Sequence, residues 1–324
     1  MLNLLPKGKL KIIIAPLNWG LGHASRCLAI TEKLLENGHE IIFASDGDAL
    51  ELLSKNHPDK DFYELPGYGL KYRNSNELFS LLDNLPGILK AVIQEKGHAE
   101  KLSAKLKPDV IISDSRFGFR SKSCLSVIVS HQLNLQTKYS FTRWAGNIAN
   151  KFWIRKFDQC WVPDFDDSPL SGKLSHGHPF NHVHYIGPLS NFKRKEYSKN
   201  IIDLLISLSG PEPARSIFEE RLIHYFRHFE GRVVLVRGSS RKTKTNMPQH
   251  WEVFDLIDRK EMNKIVCQAK EIISRSGYSS IMDFFTVGKS AQIVPTQGQA
   301  EQEYLARTLN GKYGFSCKLE SDFK

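Results

Sequence analysis

The chain has 324 residues, 41% of them hydrophobic and 25% charged, with a formal net charge of +10. That is ordinary globular usage, long enough for two domains with a core each, and it excludes a disordered or fibrous chain. No stretch reaches the roughly 20 apolar residues of a membrane span, and Cys27, Cys124, Cys160, Cys267 and Cys317, far apart and without a CxxC, fit neither a disulfide framework nor a zinc site.

The start, Met1 to Pro6, is too short and lacks the basic residues of a secretory signal, so a cytoplasmic protein is expected. The positive charge points to anionic partners: phosphorylated small molecules or an acidic membrane surface. No RNA- or DNA-binding signature is present, and no nucleic acid partner is expected.

In chain order, short β-type runs alternate with helical patterns, which predicts parallel sheets with helices on both faces. Strands are expected at Lys11–Ala15, Glu40–Ala44, Asp109–Ser113, Ser126–Ser130, Gln159–Val162 and His184–Ile186. A helix over Ala24–Glu36 ends at Asn37-Gly38, a good C-terminal stop. The strand near Val110 ends in Ser113-Asp114, a polar end at the sheet's carboxyl edge. From Gly187 to Glu196 the chain reads as a linker, and the pattern restarts. Strands are then expected at Ile201–Ser207, Arg232–Val236, Asp255–Ile257, Glu271–Ser274 and Ala291–Pro295, with a helix over Ala214–His228.

Two segments carry chemistry. In the first, Ile12 to Pro16 runs into Leu17-Asn18-Trp19-Gly20-Leu21-Gly22-His23-Ala24-Ser25-Arg26. Gly20 and Gly22 are near a dinucleotide fingerprint, but Ser25 stands where the third glycine belongs, and Asp46 lies at about the distance of a ribose ligand. Alone, this loop fits NAD and a sugar transferase equally. His23 shifts the balance, since a neutral imidazole at a helix start can take a proton from a hydroxyl.

The second segment runs from Ile273-Ser274-Arg275-Ser276-Gly277 into Tyr278 to Asp283, followed by Pro295 and the polar stretch Gln297 to Glu303. A strand runs into a glycine turn, and the helix start there offers free N–H groups to an anion. Asp283, six residues after Gly277, is placed to accept two vicinal hydroxyls of a ribose. Gln302 and Glu303 can bond sugar hydroxyls. A nucleotide-sugar pocket is the natural reading.

These segments resemble the GT-B glycosyltransferases, specifically family 28, the lipid II synthase type that uses UDP-GlcNAc in cell-envelope assembly. The resemblance covers nearly the whole chain in order, although only these two motifs are sharp. It implies an α/β fold of two Rossmann-like domains with parallel sheets facing each other across a cleft. Residues 1–190 would form the acceptor-binding domain and residues 191–324 the donor-binding domain, its usual closing helix expected to be either missing or very short. It implies an inverting, metal-independent transfer of GlcNAc or a related hexose from a UDP-sugar to a hydroxyl on a glycan or lipid-linked acceptor, with no cofactor.

On this resemblance His23 is the candidate catalytic base, and Asn18, Gly20, Gly22 and Arg26 face the acceptor, Asn18 and Arg26 at its phosphate. Arg275, Ser276, Gly277 and Asp283 take the nucleotide, and Gln302 and Glu303 the donor sugar. Asp283 and Glu303 depart from the family's usual Glu and Gln. Ser209 and Gly210 occupy the place of a second phosphate-facing loop, a weak match because Gly-Pro-Glu-Pro replaces its glycine-rich form.

Three other readings share parts of this pattern. A UDP-sugar 2-epimerase shares the fold but needs acid/base carboxylates that the sequence does not assign; an NAD-dependent oxidoreductase and a nucleotide-sugar-binding protein without turnover come after it. His176, His178, His182, His184 and the pair His224 and His228 match no metal template, so no metal is expected. The apolar run Leu78–Leu89 lies near Lys71, Arg73, Lys90 and Lys96. A helix packed on the sheet is its commoner reading, and contact with an anionic membrane surface at the inner face of the membrane is the alternative.

Overall fold

The structure is a computed structural model. It describes residues 1–18, 21–68, 77–137, 139–167, 169–197, 201–239 and 246–324, with the side chains of residue 21 and residues 77–86 left aside. Gly20, Lys71 and Arg73 lie outside the described residues, as do the side chains at the start of the Leu78–Leu89 run. The chain divides into two compact units, Met1–Leu189 and Ser190–Lys324.

In unit 1 the elements are β1 (Lys11–Pro16), α1 (Leu21–Glu36), β2 (Glu40–Ser45), α2 (Gly47–Asn56), β3 (Asp61–Glu64), α3 (Glu77–Leu106), β4 (Val110–Asp114), β5 (Leu125–Val129), α4 (Ser140–Ile154), β6 (Gln159–Val162) and β7 (Val183–Tyr185). All seven strands are parallel, in the order β3-β2-β1-β4-β5-β6-β7. Side chains alternate across a strand. Ile12, Ile14, Phe43 and Ile112 accordingly join one core, while Ile13, Ile42, Ala44 and Ile111 join another. A sheet apolar on both faces must be covered on both, which the crossover helices do.

Unit 2 repeats the plan with β8 (Ile202–Ser207), α5 (Ala214–Tyr225), β9 (Val233–Val236), β10 (Glu252–Phe254), α6 (Arg259–Gln268), β11 (Ala269–Arg275), α7 (Tyr278–Val287), β12 (Ala291–Val294), α8 (Ala300–Leu309) and β13 (Phe315–Cys317). Its six strands are parallel in the order β10-β9-β8-β11-β12-β13. After β13 a 3-10 turn at Glu320–Asp322 carries Phe323 into the core beside Phe218.

In each sheet the strand order reverses beside its first strand, between β1 and β4 and between β8 and β11. In open parallel sheets, ligands bind at the carboxyl ends of strands flanking such a switch point. Both motif segments lie there: β1 leads to α1, and β11 leads to α7.

Two expectations need correction. The strand placed at Asp255–Ile257 is Glu252–Phe254, because Val253 and Phe254 pair with Leu235 and Val236. Asp255 lies past the strand end, where its carboxylate takes Arg237 at 2.8 Å. The helix placed at Ala24 begins at Leu21, so Gly22 and His23 belong to its first turn. No helix among the described residues is long and apolar enough to cross a membrane.

Candidate functional site

In unit 1 the site grows from Asp114, the last residue of β4. The register pairs Asp114 with Pro16 at the end of β1, and Leu17 N–H donates to the Asp114 carbonyl at 2.9 Å. The side chain is fully buried. His23 Nδ1 lies 2.8 Å from Asp114 Oδ1, and Arg26 donates from Nε (2.7 Å) and Nη2 (2.5 Å) to the two carboxylate oxygens.

Burial alone would push this carboxyl up, but the Arg26 guanidinium and His23 outweigh it and hold it well below the usual carboxylate range. Asp114 is therefore an anion at neutral pH. An anion there favours the proton of His23 on Nδ1, which leaves the Nε2 lone pair as the basic position. The His23 side chain is 18% exposed while Asp114 is fully enclosed. His23 is thus a partly open imidazole on a buried carboxylate.

Arg26 stands differently from its expected role. It is 4% exposed, forks onto Asp114, and Nη1 lies 3.1 Å from His131 Nδ1. Its guanidinium serves the His23–Asp114 pair from inside, instead of reaching for acceptor phosphate.

Asn18 also turns inward. Its Oδ1 accepts Ala49 N–H at 3.3 Å, in the first turn of α2, and its Nδ2 donates to Asp46 Oδ2 at 3.2 Å. Asp46 in turn pairs with Arg116, a fully buried guanidinium that also holds Glu95 and the Pro16 carbonyl. Glu95 accepts from Gly118 N–H and the Tyr68 hydroxyl. Its carboxyl is raised by burial despite Arg116 and Tyr68. Asp46 is thus tied to Asn18 and Arg116 within unit 1.

In unit 2, Gly277 caps α7, and space is open where a Cβ would stand. The helix start is thus accessible to an anion. Asp283, six residues on, is 6% exposed and bidentately held by Arg259, with Oδ1–Nη2 at 2.8 Å and Oδ2–Nη1 at 3.0 Å. Ser190 Oγ donates to the same Oδ1 at 2.5 Å. The expected free carboxylate is a clamped one.

Arg275 is fully buried. It donates to Glu320 at 2.6 Å and to the Pro295 and Ala214 carbonyls, over the Phe218 ring at 4.0 Å. Burial lowers its pKa against the pull of Glu320. This guanidinium braces unit 2, with its donors turned to Glu320 and two backbone carbonyls. Ser276 is buried, its hydroxyl on the Gln302 carbonyl.

Gln302 ties the loop ahead of α8. Its Oε1 accepts Thr296 N–H at 2.9 Å, and its Nε2 donates to Gln299 at 2.6 Å. Glu303 accepts Gly298 N–H at 2.9 Å. The Thr296 hydroxyl is buried without a hydrogen-bond partner, and a Cβ at Gly210 would lie 3.9 Å from it. Gly210 has φ +104°, which a side chain would strain. Ser209, Gly210 and Thr296 therefore share one edge of the sheet, at the carboxyl ends of β8 and β12.

Of the histidines between 176 and 184, His176 meets the Asp166 carbonyl and the Tyr185 ring, His178 meets the Tyr185 hydroxyl, and His182 Nε2 is buried without a hydrogen-bond partner. Among the described residues, no group of three or more His, Cys, Asp or Glu is disposed to hold a metal. Asp114 and His131 were not assigned roles from sequence. For Asp114 the signal was available, as a carboxylate ending an apolar run at the sheet's carboxyl edge.

Residues 213–322 match the model of the glycosyltransferase family 28 C-terminal domain, which spans α5 to the last turn of unit 2. An uncharacterized glycosyltransferase of Methanosarcina mazei is 26% identical, covering 93% of this chain and 83% of the relative. A UDP-N-acetylglucosamine–N-acetylmuramyl-(pentapeptide) pyrophosphoryl-undecaprenol N-acetylglucosamine transferase of Pasteurella multocida is 22% identical, over 90% of this chain and 78% of the relative. Among solved structures, the calicheamicin glycosyltransferase CalG4 superposes with a TM-score of 0.68 at 13% identity, covering 98% of this chain and 87% of that one. The fold is GT-B. Fold, family match and relatives together support a glycosyltransferase.

Proposed function

We propose that the chain is an inverting glycosyltransferase, independent of bound metal or cofactor, that moves GlcNAc or a related hexose from a UDP-sugar to a hydroxyl. The observation that carries this reading is His23 held through Nδ1 by the buried Asp114. His23 Nε2 removes the acceptor proton as that oxygen attacks the anomeric carbon. The bond from that carbon to the diphosphate breaks on the opposite face, and the diphosphate leaves with the electron pair. Asp114 stabilises the imidazolium that results, and attack from behind inverts the centre.

Unit 2 would hold the donor. The open N-terminus of α7 at Gly277 suits the departing diphosphate, whose charge its N–H groups can stabilise. Asp283 would take ribose hydroxyls by exchanging Ser190 or one arm of Arg259. The unpartnered Thr296 hydroxyl beside Ser209 and Gly210, with Gln302 and Glu303 close in sequence, supports a polar donor pocket. A lipid-linked or glycan acceptor fits a cytoplasmic enzyme working at the inner face of a membrane.

The test is ligand stabilisation followed by product analysis. UDP and UDP-GlcNAc should raise the melting temperature, because a ligand at 100 times its Kd adds about 2.7 kcal/mol to the native state. Product mass and anomeric configuration then report transfer and inversion. No stabilisation by any UDP-, GDP- or dTDP-sugar would overturn the donor reading, and a retained anomeric configuration would overturn the single displacement.

A further inference from the structure

Helix α4 is built inside out. Its buried side is Thr142, Asn150 and Ile154, with Gly146, where an added Cβ would stand 3.3 Å from Leu135 Cδ1. These recur every four residues, one face of a helix. That face is held by polar bonds. Asn147 bonds the Leu135 backbone in both directions, and Asn150 Nδ2 donates to the Gln132 carbonyl at 2.8 Å.

The opposite face carries Phe141 (70% exposed), Trp144 (63%), Ile148 (50%) and Phe152 (51%). Their spacing of three, four and four residues makes one continuous stripe. A soluble helix normally turns such a stripe inward, and a contiguous exposed apolar patch marks an interaction surface.

The charge around the stripe selects the partner. From residue 139 to residue 157 there is no Asp or Glu, while Arg143, Lys151, Arg155 and Lys156 are all cations. At 100° per residue, Lys151 and Lys156 flank the aromatic stripe, and Lys156 Nζ lies 4.5 Å from the Phe152 ring centroid. Aromatic rings edged by ammonium and guanidinium groups match a bilayer interface, where rings sit among the headgroups and cations meet lipid phosphates. A protein partner of opposite charge would meet the cations but leave four large apolar side chains to be matched; an anionic bilayer meets both.

We propose that α4 is a membrane-docking surface that binds anionic lipid bilayers through Phe141, Trp144, Ile148 and Phe152, with Lys151 and Lys156 on lipid phosphate. The Leu78–Leu89 run is a separate expectation, and the side chains at its start lie outside the described residues. Docking through α4 requires no step of the chemistry at His23.

The test uses the full chain with vesicles of phosphatidylcholine and phosphatidylglycerol, and with phosphatidylcholine alone. The wild type is expected to co-sediment with the anionic vesicles. F141S/W144S/F152S should lose binding at least about tenfold, and because these side chains are exposed, its melting temperature should stay that of the wild type. K151E/K156E should bind the anionic vesicles more weakly, and salt should weaken the wild type's binding as the Debye length shrinks. H23A should bind vesicles as the wild type does, even if the transfer reading fails. A wild type that does not sediment, or a triple variant that sediments equally, overturns the proposal. So does a wild-type dimer in light scattering that the triple variant converts to monomer, since a second copy would then cover the face.

Discussion

Asp114→Asn is the most informative single change, because it preserves shape while removing one charge. In the native protein, Asp114 takes His23 Nδ1 at 2.8 Å and two bonds from Arg26, inside a fully buried position. An asparagine amide placed there can donate to His23 Nδ1, which moves the ring proton to Nε2 and removes the base. In a serine protease, the corresponding substitution lowers kcat about 10⁴-fold by that route. A loss of about 10² to 10⁴ is expected here, equal to about 2.7 to 5.4 kcal/mol of transition-state stabilisation. The assay is UDP release from UDP-GlcNAc, to water or to a supplied hydroxyl acceptor, with donor Kd measured separately by calorimetry. The Kd should hold, since the donor motif belongs to unit 2. Asp114→Asn also leaves Arg26 buried without its counter-charge, which costs about 3–5 kcal/mol and calls for a melting curve alongside. The double variant with His23→Ala separates the two effects. If Asp114 acts through His23, adding Asp114→Asn to His23→Ala lowers kcat no further. Turnover of Asp114→Asn within about threefold of wild type, with the fold intact, would refute the base assignment.

Asp283→Ala should weaken UDP binding by about 10- to 100-fold, the scale of a lost charge-assisted bond; unchanged affinity with a lowered melting temperature would confine Asp283 to its clamp with Arg259 and Ser190. Arg275→Ala should lower stability by about 3–5 kcal/mol, because it removes a buried cation from Glu320 and from the Phe218 ring, and leave donor affinity nearly unchanged. A donor Kd that rises with little loss in melting temperature would return Arg275 to the ligand. The depressed carboxyl of Asp114 adds stability that is fully present above its unfolded value of about 3.9 and is lost as pH falls through the lower folded value. The urea midpoint of the wild type should therefore fall more steeply than that of Asp114→Asn between about pH 5 and about pH 2.5, and parallel slopes would refute the ionised assignment.

Most strands were legible because both sheets are parallel and covered on both faces, so strands such as Lys11–Pro16 read as unbroken apolar runs. Two edge strands escaped, although the edge strand β7 was expected within a residue of its place. β3 (Asp61–Glu64) and β13 (Phe315–Cys317) are short and only partly buried, with too few apolar residues for a pattern. The same weakness moved β10, where Val253 and Phe254 compete with the equally β-like Leu256 and Ile257 and only pairing with β9 decides.

The candidate sites were legible as backbone and illegible as partnerships. Glycine turns and helix starts follow from local chemistry, so Gly22, His23 and Gly277 could be placed on the line of the chain. Which carboxylate meets which cation depends on crossovers that bring together residues such as Arg26 and Asp114, 88 apart. Arg26, Arg116 and Arg275 make the point jointly. Each looked available, or passed unremarked, in sequence, and each is buried against a carboxylate from a distant element. A buried guanidinium without its partner is costly, so the folded chain commits such residues first to neighbours. Among the groups the fold does not consume are the outer face of His23, the open start of α7 at Gly277, and the unpartnered hydroxyl of Thr296. Helix α4 obeys the same rule in reverse. Its asparagines are consumed by the backbone between Gln132 and Leu135, and that demand, more than its aromatic stripe, sets which face turns outward.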